Sequence, residues 1–381
     1  MNDRSPVALG IDVGTSGVRV VATAEDGRLV SAAVVGMPPP TRDERGIRQD
    51  AAVWWTTTAA ALDSIASGLD MQRVAAIAVD GTSGTLLSVG ASGTPVAPGS
   101  LYNDPSGAAA AARIADVAPP ETAAHGSTSA LARAILMQDT PGAVRILHQA
   151  DWIAGKLSGR FDVTDENNAL KTGYDPVSRR WPDWIAATGM RTDLLPEVVP
   201  AGTPTGTVSA AMAARFGLPA GAKVIAGTTD GCAAFLATGA AVPGDAVTSL
   251  GTTLVLKLLS PVPLFAPQYG LYSHRIGDLW LAGGASNSGG GALLAQFTPE
   301  RMRALEPRLR PDQPTGLDYY PLPGPGERFP INDPALEPRL TPRPDDDAIF
   351  FQGMLEGIAA VEALGYRRLA ELGGPPLRSV R

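Results

Sequence analysis

One pattern occurs twice in this chain and narrows its fold more than any other. An apolar, β-branched run enters a short turn of glycine and hydroxyl residues and leaves as a second β-branched run. The first copy is Val7-Ala-Leu-Gly-Ile-Asp12, the turn Val13-Gly-Thr-Ser-Gly17 and Val18-Arg-Val-Val-Ala22; the second is Ala246-Val-Thr-Ser-Leu250, Gly251-Thr252-Thr253 and Leu254-Val-Leu-Lys257. β-Branched residues favour strands, and glycine with small polar residues favours the turn between them. The recurrence of Gly14-Thr15-Ser16 as Gly251-Thr252-Thr253 predicts two duplicated α/β domains, each with its own glycine-hydroxyl hairpin. The 381 residues suffice for two or three domains. Pro204, Gly206, Pro219 and Gly221 cluster where a break is expected, dividing the chain into 1–215 and 216–381.

The intervening segments read as α/β. Asp26-Gly27 signals a hairpin with Leu29–Val35 returning, residues 50–67 read as a helix with Trp54, Leu62 and Ile65 on its apolar face, and Val74–Val79 and Leu86–Val89 read as strands. Residues 106–159 are expected to be mostly helical, with a break at Pro119-Pro120, and 181–199 a connecting helical stretch. A second α/β region is expected to open with a strand at Lys223-Val-Ile-Ala-Gly-Thr-Thr-Asp230, followed by a helix over 231–241. Residues 302–347 look irregular. Residues 348–373 form a long helix candidate with Phe350, Leu355, Ile358, Val361 and Leu364 on one stripe, and a strand begins after Pro375-Pro376.

Composition excludes several functions. With 31 Lys+Arg against 38 Asp+Glu the net charge is −7, so no basic surplus exists to neutralise a nucleic-acid backbone. A single cysteine, Cys232, rules out a disulfide framework and a cysteine zinc site; it reads as a small buried helix residue. His125, His148 and His274 are dispersed and read as structural. The strand pattern begins almost at the N-terminus and no apolar run approaches the ~20 residues of a membrane span, so the expectation is a cytoplasmic protein without membrane or nucleic-acid partners. The Walker A spacing, H-E-x-x-H and G-x-S-x-G are absent, which disfavours P-loop, zincin and serine hydrolase chemistry.

Three acids end apolar strands. Asp12 precedes Gly14-Thr15-Ser16, whose glycines free backbone N–H groups and whose hydroxyls add donors, as an anion site requires; the acid itself suits Mg²⁺, usually through water. The same residues also make an ordinary hairpin turn. Asp80-Gly-Thr-Ser-Gly-Thr85 offers an acid, three hydroxyls and close approach, which suits a polyol, or equally a capped turn; Tyr102-Asn103-Asp104 would line that pocket or form a turn of its own. Asp230 ends its strand where a helix starts, placed to accept an alcohol proton, to cap the helix, or both. Gly283-Gly-Ala-Ser-Asn-Ser-Gly-Gly-Gly291 is too glycine-rich for regular structure and reads as a nucleotide approach, a hinge or a flexible turn.

Together these residues resemble the FGGY carbohydrate kinases of the actin-like ATPase superfamily. Leu9-Gly-Ile-Asp-Val-Gly-Thr-Ser-Gly17 is similar to that family's first phosphate motif, Ala226-Gly-Thr-Thr-Asp230 to the segment holding its catalytic aspartate, and Ser249-Leu-Gly-Thr-Thr253 to its second phosphate motif. Within the family the nearest resemblance is to the D-ribulose kinase group of cyanobacteria and plants, through Asp80–Thr85, Gln149-Ala-Asp-Trp152, Asn168-Ala-Leu-Lys171, Gly283–Asn287, Gly316–Pro323 and Gly326-Glu-Arg-Phe-Pro330.

The resemblance implies two ribonuclease-H-like domains around a cleft, an N-terminal sugar-binding domain and a C-terminal nucleotide-binding one. It implies ATP and Mg²⁺ as cofactors and phosphorylation of the primary hydroxyl of a ketopentose, D-ribulose first, with another pentulose such as xylulose, a polyol, or a non-catalytic sugar-binding fragment as alternatives. Asp230 is then the base and Asp12, Asp80 and Ser83 bind sugar, with Asp12 also on the metal. Gly14, Thr15, Ser16, Gly251, Thr252 and Thr253 bind phosphates. It further implies a Gly-Gly-Gly-Ala-x-Asn adenosine motif beyond the helix ending near Gly373. The sequence stops at Arg381, so the expectation is a second domain incomplete before that motif, with weak ATP affinity and poor turnover for this polypeptide.

Overall fold

The computed structural model describes residues 5–44 and 46–381. The chain divides into two compact units, one running to Ala234 and the other Phe235–Arg381.

The first unit is built on a six-stranded sheet. Its strands are β1 (Val7–Val13), β2 (Gly17–Ala24), β3 (Leu29–Gly36), β4 (Val74–Gly81), β5 (Pro204–Thr207) and β6 (Lys223–Thr229), in the order β5-β6-β4-β1-β2-β3. The meander β1-β2-β3 is antiparallel, whereas β4 runs parallel to both β1 and β6. In β1 the alternating side chains of Val7, Leu9, Ile11 and Val13 are buried, the period-2 signature of a strand with one face on a core.

Helix α1 (Ala51–Ala66) starts where the Asp50 carboxylate accepts the Ala52 N–H, and buries Trp54, Leu62 and Ile65 in the same core. The Trp54 indole N–H finds a partner in Gln49 Oε1 at 2.7 Å, so this ring is buried without an orphaned donor. Helix α2 (Gln149–Ser158) ends on Gly159 in the left-handed conformation and packs against β4 and β6. A separate small core forms around the helices Ala108–Val117 and Ala130–Met137.

In the second unit the sheet order is β9-β10-β8-β7-β11, from β7 (Asp245–Leu250), β8 (Leu254–Ser260), β9 (Tyr272–Ile276), β10 (Leu279–Ser286) and β11 (Ser379–Val380). Helix α3 (Asp230–Ala237) leads into it. Here β7-β8-β10 repeats the antiparallel meander, and β11 pairs in parallel with β7 as β4 does with β1. The duplication expected from the two hairpins is therefore present as repeated sheet topology. Helix α4 (Gly290–Leu294) follows β10. The long helix α5 (Asp347–Glu371) is apolar and long enough to cross a membrane, but its Phe350, Met354, Ile358 and Val361 are buried in the second core.

Three expectations are corrected and a fourth is refined. The division falls after Ala234 rather than at 215/216, because β5 and β6 complete the first sheet; Lys223–Asp230 closes the first unit and does not open the second. Residues 106–159 carry the expected helices, Ala108–Val117, Ala130–Met137 and Gln149–Ser158, but also an unexpected strand, Arg145–His148, paired with Leu86–Val89. The 181–199 stretch holds only short helical turns and the strand Glu197–Val199. Gly283 and Gly284 lie within a regular strand: a Cβ on Gly283 would stand 2.7 Å from the Leu256 carbonyl, and one on Gly284 2.6 Å from the Phe329 ring. Tight packing, not irregularity, explains those glycines.

Candidate functional site

In the first unit the acids converge because parallel strands end together. β1 and β4 pair with Asp12 opposite Asp80, and β4 and β6 pair with Asp80 opposite Thr228 and Gly81 opposite Thr229. Asp230 follows at the start of α3, where the helix N-terminus favours a carboxylate; its Oδ1 accepts the Gly231 N–H at 2.7 Å. The spacing is set by an irregularity: the β4/β6 register shifts between Ile225 and Thr228, and a Cβ on the intervening Gly227 would lie only 1.8 Å from the Val79 carbonyl oxygen.

Crowding of like charge has an electrostatic consequence. Burial first, then the neighbouring Asp12 and Asp230 carboxylates, push Asp80 up to about 8, while Arg19 pulls it down. Asp80 therefore carries a proton at neutral pH and shares it with Asp12 through a side-chain hydrogen bond. Asp12 also accepts from Arg19 Nη1 at 2.9 Å, across the β1/β2 pair.

The first turn is closed by Gly14 N–H donating to Gly17 O at 3.0 Å, with Thr15 partly exposed and Ser16 exposed. Ser83 lies in the loop after β4, and its Oγ is buried with no hydrogen-bond partner among the described residues. In the second unit Gly251, Thr252 and Thr253 form the β7/β8 turn, with Gly251 and Thr252 exposed. The structure thus gathers Asp12, Asp80, Ser83, Asp230 and Gly14–Ser16 in one unit and places Gly251–Thr253 in the other.

Several candidates resolve to structural roles. Asp104 accepts from Ser100 Oγ at 2.7 Å and from the Ser106 N–H, so it caps a turn. Cys232 is fully buried. His125 Nε2 pairs with Pro119 O, and His148 is buried, its pKa pushed down to about 3 by burial and by Arg133 and Lys171.

Three supporting side chains had no assigned role in the sequence. Arg19 was signalled only as a charge inside a β-branched strand, opposite Asp12. Arg133, a lone cation in the apolar helix Ala130–Met137, donates to Gly84 O at 2.6 Å and Ser100 O at 3.0 Å, tying the Asp80–Thr85 loop to the strand Gly99–Ser100. Gln149 Oε1 accepts the Thr82 N–H and hydroxyl at 3.2 and 3.0 Å.

Asp12 is a partly exposed carboxylate of the kind that holds Mg²⁺ through water, and no group of three or more acidic, histidine or cysteine side chains among the described residues is arranged to hold a metal directly; exposed glycine-hydroxyl turns in both units offer amide and hydroxyl donors of the kind phosphates take. The donor chemistry fits both groups.

Comparison with known proteins gives a consistent picture. The profile of the FGGY family of carbohydrate kinases, N-terminal domain, matches residues 7–125 and 135–237. An erythritol kinase from Brucella abortus is 31% identical over 284 residues, covering 69% of this chain and 54% of the relative. A xylulose kinase from Escherichia coli is 26% identical over 289 residues, covering 71% and 58%. The chain spans little more than half the length of these relatives. Among solved structures, a xylulose kinase from Rhodospirillum rubrum superposes with a TM-score of 0.83 at 22% identity, covering 97% of this chain and 80% of that one. A Plasmodium falciparum glycerol kinase with ADP gives 0.82 at 14% identity, covering 99% and 81%. At such identities the superpositions establish the fold alone.

Proposed function

The chain belongs to the FGGY family of carbohydrate kinases, and from that premise we propose that it transfers the γ-phosphoryl group of ATP to the primary hydroxyl of a ketopentose, D-ribulose first. The observation that carries this reading is the convergence of Asp12, Asp80 and Asp230 at the ends of β1, β4 and β6 beside the Gly14–Ser16 turn.

In this mechanism Asp230 accepts the proton of the sugar hydroxyl as its oxygen attacks the γ-phosphorus and the bond to the β–γ bridging oxygen breaks. The helix N-terminus at Asp230 favours the carboxylate form that takes that proton. Asp80, protonated, donates where its neighbours only accept, and the unpartnered Ser83 hydroxyl takes a sugar hydroxyl. Arg133 and Gln149 hold the loop that carries Ser83. Gly14–Ser16 and Gly251–Thr253 contact phosphates through amides and hydroxyls, and Arg19, beside the first turn, adds positive charge. Asp12 would hold Mg²⁺ through water; when bound, that ion neutralises charge developing on the transferring phosphoryl group.

A second reading, a kinase for xylulose or a smaller polyol, is favoured by the substrates in the names of the erythritol and xylulose kinases to which the chain is similar. A coupled ADP-release assay over D-ribulose, D-xylulose, L-ribulose, erythritol and glycerol separates the readings. Highest kcat/KM on D-ribulose supports the first, and a preference for xylulose or erythritol the second. ADP release with none of them, together with a sugar-dependent rise in melting temperature, overturns both in favour of a non-catalytic sugar-binding role.

A further inference from the structure

The Gly251–Thr253 turn of the second unit does not stand alone. The segment after β10 is bonded to it: Leu254 N–H donates to Ser288 O at 2.8 Å, Gly290 N–H to Gly251 O at 2.8 Å and Gly291 N–H to Thr252 O at 3.0 Å. The approach is so close that a Cβ on Gly289, Gly290 or Gly291 would lie 2.8, 2.7 or 2.9 Å from backbone atoms of Thr253, Gly251 or Thr252. The glycines at the end of the Gly283–Gly291 motif therefore serve contact between two backbones. The shape of the turn depends on whatever holds residues 286–291.

That anchor is Glu327, a carboxylate only 3% exposed. Its Oε2 accepts from Ser286 Oγ at 2.5 Å and Tyr320 Oη at 2.9 Å, and its Oε1 accepts the backbone N–H groups of Asn287 at 2.7 Å and Arg328 at 2.9 Å. Asn287 Nδ2 returns a bond to Gly326 O at 2.9 Å, and Ser286 Oγ accepts the Ser288 N–H at 2.9 Å. Glu327 is itself fixed, its N–H and C=O both paired with Asp333. Tyr320 stays protonated and able to donate, because burial and the Glu327 charge raise its pKa above the usual tyrosine value. A buried carboxylate with all four of these bonds made rigidifies what it touches.

We propose that Glu327 is a positioning residue for the Gly251–Thr253 turn, acting through the 286–291 segment and so setting affinity for the phosphoryl donor. The link to the donor rests on the kinase reading; the link to the turn does not. Two readouts on the full chain keep these apart. Glu327→Leu removes every acceptor, whereas Glu327→Gln keeps Oε1 for the two backbone N–H groups and lets the two hydroxyls turn to accept from its amide. With Glu327→Leu, amide hydrogen exchange in peptides covering 248–256 and 286–292 accelerates about tenfold or more, and KM for MgATP rises by about tenfold, while KM for the sugar stays within about twofold. Glu327→Gln remains close to wild type in both. Should Glu327→Leu fail to fold, Ser286→Ala gives the same local acceleration in smaller measure. The proposal is overturned if exchange in those peptides is unchanged in the folded variants, or rises equally throughout the chain. Wild-type protein without ADP release sinks the kinase reading and leaves the exchange result to decide the role of Glu327.

Discussion

Replacing Gly227 with alanine tests whether the register irregularity in β6 sets the catalytic spacing. The new methyl carbon would stand 1.8 Å from Val79 O and 2.7 Å from Val79 C, whereas real Cβ contacts stay beyond 3.0 Å. The obstacle is backbone of the paired strand, so no side chain can swing aside; β6 must withdraw from β4 by about 1.2 Å to restore that separation. Asp230 lies three residues downstream, and Thr228 and Thr229 are the residues registered with Asp80 and Gly81, so the withdrawal moves the base relative to the acids on β4 and β1. A misplacement of about 1 Å costs on the order of 100-fold in a reaction that depends on near-attack geometry. The expected outcome for Gly227→Ala is a folded protein, by circular dichroism, with a lowered melting temperature and kcat down about 100-fold in the ADP-release assay at saturating sugar. Gly10→Ala is the control: it lies in β1 of the same sheet with nothing within 4 Å of its Cβ, and leaves kcat unchanged. A Gly227→Ala variant with kcat within threefold of wild type and an unshifted melting temperature would refute the reasoning.

Other outcomes follow from single groups. Asp230→Asn lowers kcat by about 10²–10⁴, the contribution of a positioned base, while sugar still raises the melting temperature; loss of sugar binding with the activity would point to a substrate-contact role instead. Chelation of Mg²⁺ abolishes ADP release, and Asp12→Asn raises the Mg²⁺ concentration for half-maximal rate, measured by titrating the metal at fixed ATP; an unchanged midpoint would remove Asp12 from the metal site. Burial raises Asp165 to about 6 and lowers His148 to about 3. The Asp165 contribution to stability is full below about 3.8 and is lost as pH rises through about 6, whereas that of His148 is full above about 6.5 and is lost as pH falls towards about 3. Each has a slope of up to about 1.4 kcal/mol per pH unit, and they oppose each other between pH 4 and 6. Asp165→Asn should therefore make the melting temperature fall more steeply than wild type on acidification from pH 6 to 4, and parallel curves would show that this carboxyl does not bind its proton more tightly in the fold.

What was legible in the sequence was whatever local chemistry decides. The β1-β2-β3 meander was readable because alternation and turn residues lie within a few positions of one another, and the acids stood out because each closes an apolar run. The placement of β6 was not, since its parallel partner β4 lies far back in the sequence and a parallel strand carries no local mark of its neighbour. The strand Arg145–His148 was hidden because four residues beside a longer helix change the periodicity too little to register. Gly283-Gly284 misled because glycine propensity is weak evidence where the Phe329 ring needs the space a side chain would fill. Asp12, Asp80 and Asp230 were each visible singly; the proton held on Asp80 exists only once three strands have been laid side by side.

The membership of β6 in the first sheet has a consequence for recombination. A chimera that exchanged everything after Ala234 for the corresponding part of another family member would replace the Gly251–Thr253 turn and its Glu327 support wholesale. It would keep Asp12, Asp80, Ser83 and Asp230 on one uninterrupted hydrogen-bonded lattice. The joint falls inside α3, so helical phase is the one quantity the graft must preserve. A cut at 215, by contrast, would exchange β6 and the proposed base for foreign ones and set a foreign strand between the parent's β5 and β4. The chain is thus divisible into interchangeable parts at one place and not at the other.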